Sequence, residues 1–278
     1  MPLEQRPHPV FVTGCHRSGT TLLRYFLDAH PALACPPESK FILGLHSFAQ
    51  DPQSIVGLYS LGVSDRHLRK LLRNMIENVL MSYAIRQGKA RWIDKTPNYV
   101  RILPFIDDVF EHEAQFILIV RHPFDCVLSL QEFFRYASEF HEDSEIRSVV
   151  REHGNQMYGW ARHWRDIHEQ IWLFACTNSQ RVAIVKYEDL VRHTEAELSK
   201  LLDFIAVERY TGDTGEMCSR AFTSQHTNGY QDVKIRSTQQ VHPQSIGKWQ
   251  HWTEEQKLAH WTVVGSVAET FGYRHEYA

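Results

Sequence analysis

The 278-residue sequence contains no apolar run near the roughly 18 residues needed to cross a bilayer. The segment from Met1 to Pro9 is polar and proline-rich and lacks the apolar core of a secretion signal. Its five cysteines, Cys15, Cys35, Cys126, Cys176 and Cys218, are scattered, odd in number and form no CxxC pair. That distribution suits a reducing compartment better than a disulfide framework, so a cytoplasmic protein is expected. A large excess of either charge is also lacking. A net charge of −3 gives no general attraction to nucleic acid or to an anionic membrane, so any basic site must be local. The 17 histidines lack metal-ligand spacing and read as surface or hydrogen-bonding residues. No repeat or low-complexity tract appears, and no composition shift argues for a second domain; a single domain over residues 1–278 is expected.

What is present begins with Gly14-Cys15-His16-Arg17-Ser18-Gly19-Thr20-Thr21, directly after the apolar run Pro9-Val10-Phe11-Val12. Two glycines five apart between a predicted strand and a predicted helix let the backbone wrap an anion at a helix N-terminus. Thr20 stands where an ATPase or kinase carries lysine, and no clear apolar run ending in aspartate is available to hold Mg²⁺. Hydrolysis of a nucleoside triphosphate is therefore disfavoured. Arg17 can supply the cation from inside the loop as a forked, permanently charged partner for a phosphate.

Short apolar runs alternate with amphipathic segments, the pattern of a parallel sheet with crossover helices. Strands are predicted over Pro9–Thr13, Ala32–Cys35, Ala90–Ile93, Gln115–Val120 and Arg181–Lys186. Helices are predicted over Thr20–Ala29, Ser39–Phe48, Asp65–Arg86, Tyr99–Phe110, Pro123–Tyr136, Glu145–Thr177, Glu195–Ile205 and Thr253–Phe271. The stretch from Thr211 to Gly229 reads as an irregular loop. The glycine loop, Pro36 to Lys40, Asp94 to Pro97, Arg121 and Tyr187 each follow a predicted strand, so an open parallel sheet would gather them along one edge.

Arg17-Ser18-Gly19-Thr20-Thr21-Leu22-Leu23 resembles the 5'-phosphosulfate loop of sulfotransferases that use 3'-phosphoadenosine-5'-phosphosulfate (PAPS) and release 3'-phosphoadenosine 5'-phosphate (PAP). Leu27-Asp28-Ala29-His30-Pro31 and Cys35-Pro36-Pro37-Glu38-Ser39-Lys40 are similar to the protein-tyrosine sulfotransferases. Val120-Arg121-His122-Pro123 with Ser129 resembles the family's 3'-phosphate element, and Tyr187-Glu188-Asp189-Leu190-Val191 its nucleotide-side tyrosine motif. Arg236 to Val241, followed by Lys248-Trp249, is close to the C-terminal PAPS segment of the tyrosine enzymes. The resemblance implies an α/β domain of P-loop type, three layers deep, with a central parallel sheet flanked by helices. It also implies transfer of a sulfuryl group from PAPS to an acceptor hydroxyl without a metal.

By this likeness Glu38 is the candidate general base, a carboxylate beside a cationic cleft. The alternative for Glu38 is an acid in an ordinary helix start. His16, which replaces the family's usual proline, is a rival base. Lys95 would stabilise the leaving oxygen, as against the solvated surface lysine that is the default for its type. Arg17, Ser18, Gly19, Thr20 and Thr21 would hold the 5'-phosphate, with Arg17 also near the sulfuryl group. Arg121 and Ser129 would grip the 3'-phosphate. The tyrosine enzymes carry an arginine four residues after that serine, but Phe133 stands here, and Arg135 is the candidate substitute. Tyr187 would serve the adenosine side or else pack at the core edge. Ser237 and Lys248 complete the site by resemblance, the first near the sulfuryl group or 5'-phosphate and the second on phosphate. The acceptor stays open among a peptidyl tyrosine, a small phenol, a sugar hydroxyl and a lipid-linked alcohol, and a homodimer is compatible. A small-metabolite kinase and a non-catalytic PAP- or PAPS-binding protein are the competing readings.

Overall fold

In a computed structural model, which describes residues 7–137, 144–154, 156–208 and 243–275, five strands form one parallel sheet in the order β2-β3-β1-β4-β5. They are β1 (Val10–Gly14), β2 (Leu33–Ala34), β3 (Arg91–Lys95), β4 (Gln115–Val120) and β5 (Val182–Lys186). β1 lies at the centre, pairing Val12 with Lys95 of β3 on one side and Gly14 with Ile119 of β4 on the other. β2, β3 and β4 lie where the apolar runs predict them, within a residue or two at each end.

Strands buried on both faces read as continuous apolar runs, and each face has its own core. Phe11, Trp92, Phe116 and Leu118 point to one face, under α4 (Asp65–Arg86), α6 (Pro123–Ala137), α8 (Met157–Thr177) and α11 (Glu254–Thr270). There the Phe11 ring meets Trp92 at 5.6 Å, Phe110 at 5.3 Å and Phe116 at 5.9 Å between centroids. Val10, Val12, Ile93, Ile117 and Ile119 point to the other face, under α1 (Thr20–Ala29), α9 (Tyr187–Arg192) and α10 (Thr194–Phe204).

The helices follow local chemistry. In α4, Ser64 caps the N-terminus by accepting from the His67 amide, Asp65 and Arg86 complement the dipole, and Leu72, Ile76, Leu80 and Ala84 form the buried stripe. Thr253 and Gln256 form a capping box at the start of α11.

Of four departures from the sequence expectation, the first three have evident local causes. The segment read as one helix over Glu145–Thr177 is two, α7 (Ser144–His153) and α8, separated by Gly154 at φ 63°. The helix expected over Tyr99–Phe110 is a 3-10 turn, Pro97–Ile102, followed by α5 (Leu103–Val109), because Pro104 tolerates only the first turn of a helix. Beyond α2 (Phe41–Gln50), an unexpected α3 (Pro52–Ser60) starts where Asp51 accepts from the Ser54 amide and Pro52 opens the first turn. α9 begins at Tyr187 itself, directly after β5. Among the described residues no helix is long and apolar enough to cross a membrane.

Candidate active site

The glycine loop joins β1 to α1, and both of its glycines are dictated by close packing. A Cβ on Gly14 would fall 2.4 Å from the Ile119 carbonyl oxygen. Gly19 sits at φ 102°, and its Cβ would fall 2.3 Å from the Tyr187 ring. Among the described residues no side chain caps α1, and its first turn contains no acid, which leaves the helix N-terminus suited to an external anion. Within the loop Ser18 donates from its hydroxyl to the Cys15 carbonyl at 2.7 Å, and Arg17 takes a positive φ of 69°. Thr20 and Thr21 open α1 and are buried.

Arg17 is the meeting point of two other predicted residues. Its Nε donates to Ser129 Oγ at 3.1 Å, and its carbonyl accepts from Arg121 Nη1 at 2.9 Å. Arg121 and Ser129 therefore converge through Arg17. Phe133 lies one turn beyond Ser129 on α6, with the Arg17 guanidinium carbon 4.8 Å from its ring centroid. Arg121 in turn lies 4.4 Å over the Tyr187 ring and donates from Nη2 to the Ser245 carbonyl at 2.6 Å, while its buried Nε has no hydrogen-bond partner among the described residues. The Tyr187 hydroxyl meets Ser245 Oγ at 2.6 Å. Tyr187 thus packs between Gly19 and Arg121.

On the opposite side of β1, Lys95 at the end of β3 donates to Glu38 Oε1 at 2.9 Å. The Lys95 side chain is 1% exposed, so it is not the solvated lysine that its residue type favours. Lys40 approaches the other carboxylate oxygen of Glu38 at 3.8 Å. The turn carrying Glu38 is anchored from α1. Asp28 Oδ1 accepts from the Cys35 amide at 2.8 Å, and Arg24 Nε donates to the Cys35 carbonyl at 3.0 Å. His16 turns toward α8, its ring centroid 6.1 Å from that of the buried His163.

Lys248 is held by its backbone. Asp125 accepts from the Gly247 and Lys248 amides at 2.8 and 3.0 Å, and burial raises the Asp125 carboxyl above its usual range. The Lys248 ammonium is partly exposed, 4.0 Å from Glu132. Ser237 and the side chain of Arg135 lie outside the described residues.

Several further contributors, some of them inside the quoted motifs, are given no role by the sequence. Glu188 accepts from the His122 amide at 2.9 Å and from the Tyr273 hydroxyl at 2.9 Å, tying α9 to the chain end. The His122 ring stacks on Trp249 at 4.8 Å, and burial pushes it down to about 4, so it is neutral at pH 7. Cys126 donates to the His16 carbonyl at 3.2 Å. Ser39 and Tyr99 both bond the buried Asp94. Regular spacing would reveal only the face of α6 on which Asp125, Ser129 and Phe133 recur every four residues.

A parallel sheet whose central strand ends in this loop, with cationic side chains gathered beyond the strand ends, defines an anion-binding protein of P-loop type. Its kin are specific. The sulfotransferase family model matches residues 9–211, and the chain belongs to that family. The chain is 34% identical over 128 residues to the nodulation protein NoeE of Sinorhizobium fredii, covering 44% of this chain and 30% of that one. It is 26% identical over 204 residues to protein-tyrosine sulfotransferase 1 of Danio rerio, covering 71% and 53% respectively. It thus spans about half or less of the length of these relatives. The fold matches the sulfotransferase domain of a Synechococcus olefin synthase with a TM-score of 0.65, 22% identity and 97% of each chain covered. It also matches a mouse sulfotransferase complexed with PAP, with a TM-score of 0.58, 15% identity, and 96% of this chain and 87% of that chain covered.

Proposed function

We propose that the protein transfers a sulfuryl group from PAPS to an acceptor hydroxyl and releases PAP. The observation that carries this reading is the buried Lys95 held 2.9 Å from Glu38 across β1 from the Arg17–Arg121 grouping. A base and a cation stand together on the acceptor flank, and two guanidinium groups stand on the nucleotide flank. The uncapped N-terminus of α1 suits a phosphate, and the buried Arg121 Nε, without a hydrogen-bond partner among the described residues, keeps a donor for the 3'-phosphate. Thr20 in the lysine position speaks against a nucleoside triphosphate.

In the proposed reaction Glu38 accepts the hydroxyl proton as the acceptor oxygen bonds to sulfur. The bond from sulfur to the bridging oxygen breaks, and PAP leaves with its electron pair. Lys95, already an ion-pair partner of Glu38, neutralises charge growing on the bridging oxygen. Arg17 faces the sulfuryl oxygens and the 5'-phosphate, with Ser18, Gly19, Thr20 and Thr21 around it. Arg121 and Ser129 take the 3'-phosphate, Tyr187 borders the adenosine, and Ser237 and Lys248 close the site from the C-terminal side. The tyrosine-sulfotransferase relatives support a phenolic acceptor such as a tyrosyl side chain, and sugar or other alcohols remain within the same chemistry. The scattered, odd-numbered cysteines without a CxxC pair support a cytoplasmic setting.

Two measurements test the reading. PAP at 100-fold over its dissociation constant should stabilise the fold by about 2.7 kcal/mol, and ATP with Mg²⁺ should do much less; equal stabilisation would favour a kinase. Glu38→Gln should lower transfer of labelled sulfate from PAPS by roughly 10² to 10⁴ while PAP affinity changes little. Retained turnover in Glu38→Gln together with loss in His16→Ala would make the histidine the base. Tight PAP binding without transfer to any acceptor would mark a binding protein.

A further inference from the structure

Two consecutive residues of one loop grip two consecutive residues of one strand. Glu38 accepts from Lys95, and the next residue, Ser39, donates to Asp94 at 3.1 Å to Oδ1 and 2.9 Å to Oδ2. Successive residues of a strand point to opposite faces. Asp94 follows Trp92 onto the α4 face and Lys95 follows Ile93 onto the α1 face. The loop therefore straddles the end of β3. Tyr99, from the 3-10 turn just beyond, completes the grip: its hydroxyl donates to Asp94 Oδ2 at 2.8 Å and lies 3.1 Å from Ser39 Oγ.

Asp94 is fully buried, and burial pushes its carboxyl up to about 6, even though Tyr99, Ser39 and Lys95 all favour the charged form. A buried carboxylate adds little net stability even when well bonded. Fixing one geometry is the better account of it. We propose that Asp94, acting through Ser39 and Tyr99, is a positioning residue that sets Glu38 in register with Lys95 for proton acceptance. This deepens the sulfotransferase reading and rests on Glu38 being the base.

The test compares Asp94→Asn, Ser39→Ala and Ser39→Thr with wild type. Transfer from PAPS is followed to whichever of 4-nitrophenol, a tyrosine peptide or a sugar alcohol turns over fastest. Misplacing a base by about 1 Å costs on the order of a hundredfold. Asp94→Asn and Ser39→Ala should therefore lower kcat by about ten- to a hundredfold, with KM for PAPS and the Kd for PAP within about twofold of wild type. Ser39→Thr, which keeps the hydroxyl, should recover most of kcat. Hydrogen exchange gives a readout that needs no acceptor: amides of residues 35–42 should exchange faster in Asp94→Asn and Ser39→Ala, with residues 14–21 unchanged. The proposal is overturned if kcat stays within twofold of wild type, if PAP affinity falls in step with kcat, if threonine fails as alanine does, or if exchange at 35–42 does not move. A full rate in Glu38→Gln would instead strike the underlying reading, so the two failures are distinguishable.

Discussion

The Arg17 guanidinium lies 4.8 Å from the centre of the Phe133 ring, on the same helix face from which Ser129 accepts its Nε–H. A residue that looks like a lost phosphate contact is thus an aromatic platform for the loop arginine. Such a contact contributes about 0.5 to 1 kcal/mol when partly exposed. Phe133→Ala should weaken PAP by about two- to fivefold by calorimetric titration. Phe133→Leu, which keeps volume without a π-face, should match the alanine variant; wild-type affinity in Phe133→Leu would reduce the ring to packing.

Arg121→Ala should weaken PAP more than adenosine-5'-phosphosulfate, which has no 3'-phosphate. Arg121 also bonds the carbonyls of Arg17 and Ser245, so both ligands should lose some affinity as the loops relax. The excess loss for PAP should reach about ten- to a hundredfold, the size of a charge-assisted contact of about 1.5 to 3 kcal/mol. Equal losses for the two ligands would move the 3'-phosphate away from Arg121.

Gly19→Ala meets two obstacles, the Tyr187 ring at 2.3 Å and a φ of 102°. PAP binding should disappear, and stability in urea should fall. Combining it with Tyr187→Ala should relieve the collision and leave the backbone strain of about 1 to 3 kcal/mol. Tolerance of Gly19→Ala alone would mean that the loop does not pack on Tyr187.

Acid stability has a definite sign. His168 is fully buried against Trp164, donates from Nδ1 to its carbonyl at 2.8 Å, and is pushed by burial down to about 3. An unfolded histidine binds its proton near 6.5. The unfolded chain therefore holds the extra proton below that pH, and stability contributed by the neutral ring is lost as pH falls from about 6.5 toward 3, by up to about 1.4 kcal/mol per pH unit. His122 acts in the same direction down to about 4. Asp94 opposes them, since its raised carboxyl binds a proton in the folded state first, between about 6 and 4. His168→Gln keeps a donor for the Trp164 carbonyl and should flatten the fall of the thermal midpoint between pH 6.5 and 4. An unchanged slope would mean that the ring titrates normally in the fold.

The parallel sheet was legible because β1, β4 and β5 are short, largely apolar runs and α4 and α11 carry side-chain caps at their starts. The glycine loop was legible because Gly14 and Gly19 are forced by backbone approach to Ile119 and Tyr187. What escaped the sequence was pairing at a distance. Nothing near Asp94 announces Ser39, 55 positions away, and nothing near Asp125 announces the Gly247 amide, 122 positions away. Phe133 was misleading for a related reason: a motif comparison registers a missing charge but not a ring supporting the charge beside it.

The strand order assigns the two halves of the proposed reaction to different territories. Glu38 and Lys95 stand on the β2–β3 side of β1, whereas Arg121 and Tyr187 stand on the β4–β5 side. The helical hairpin of α2 and α3 emerges from the first side, directly after Lys40. Under the proposed reaction, substitutions in that helical pair would change acceptor choice while the proposed donor residues stayed as they are, so the fold would separate heritable change in one partner from constancy in the other.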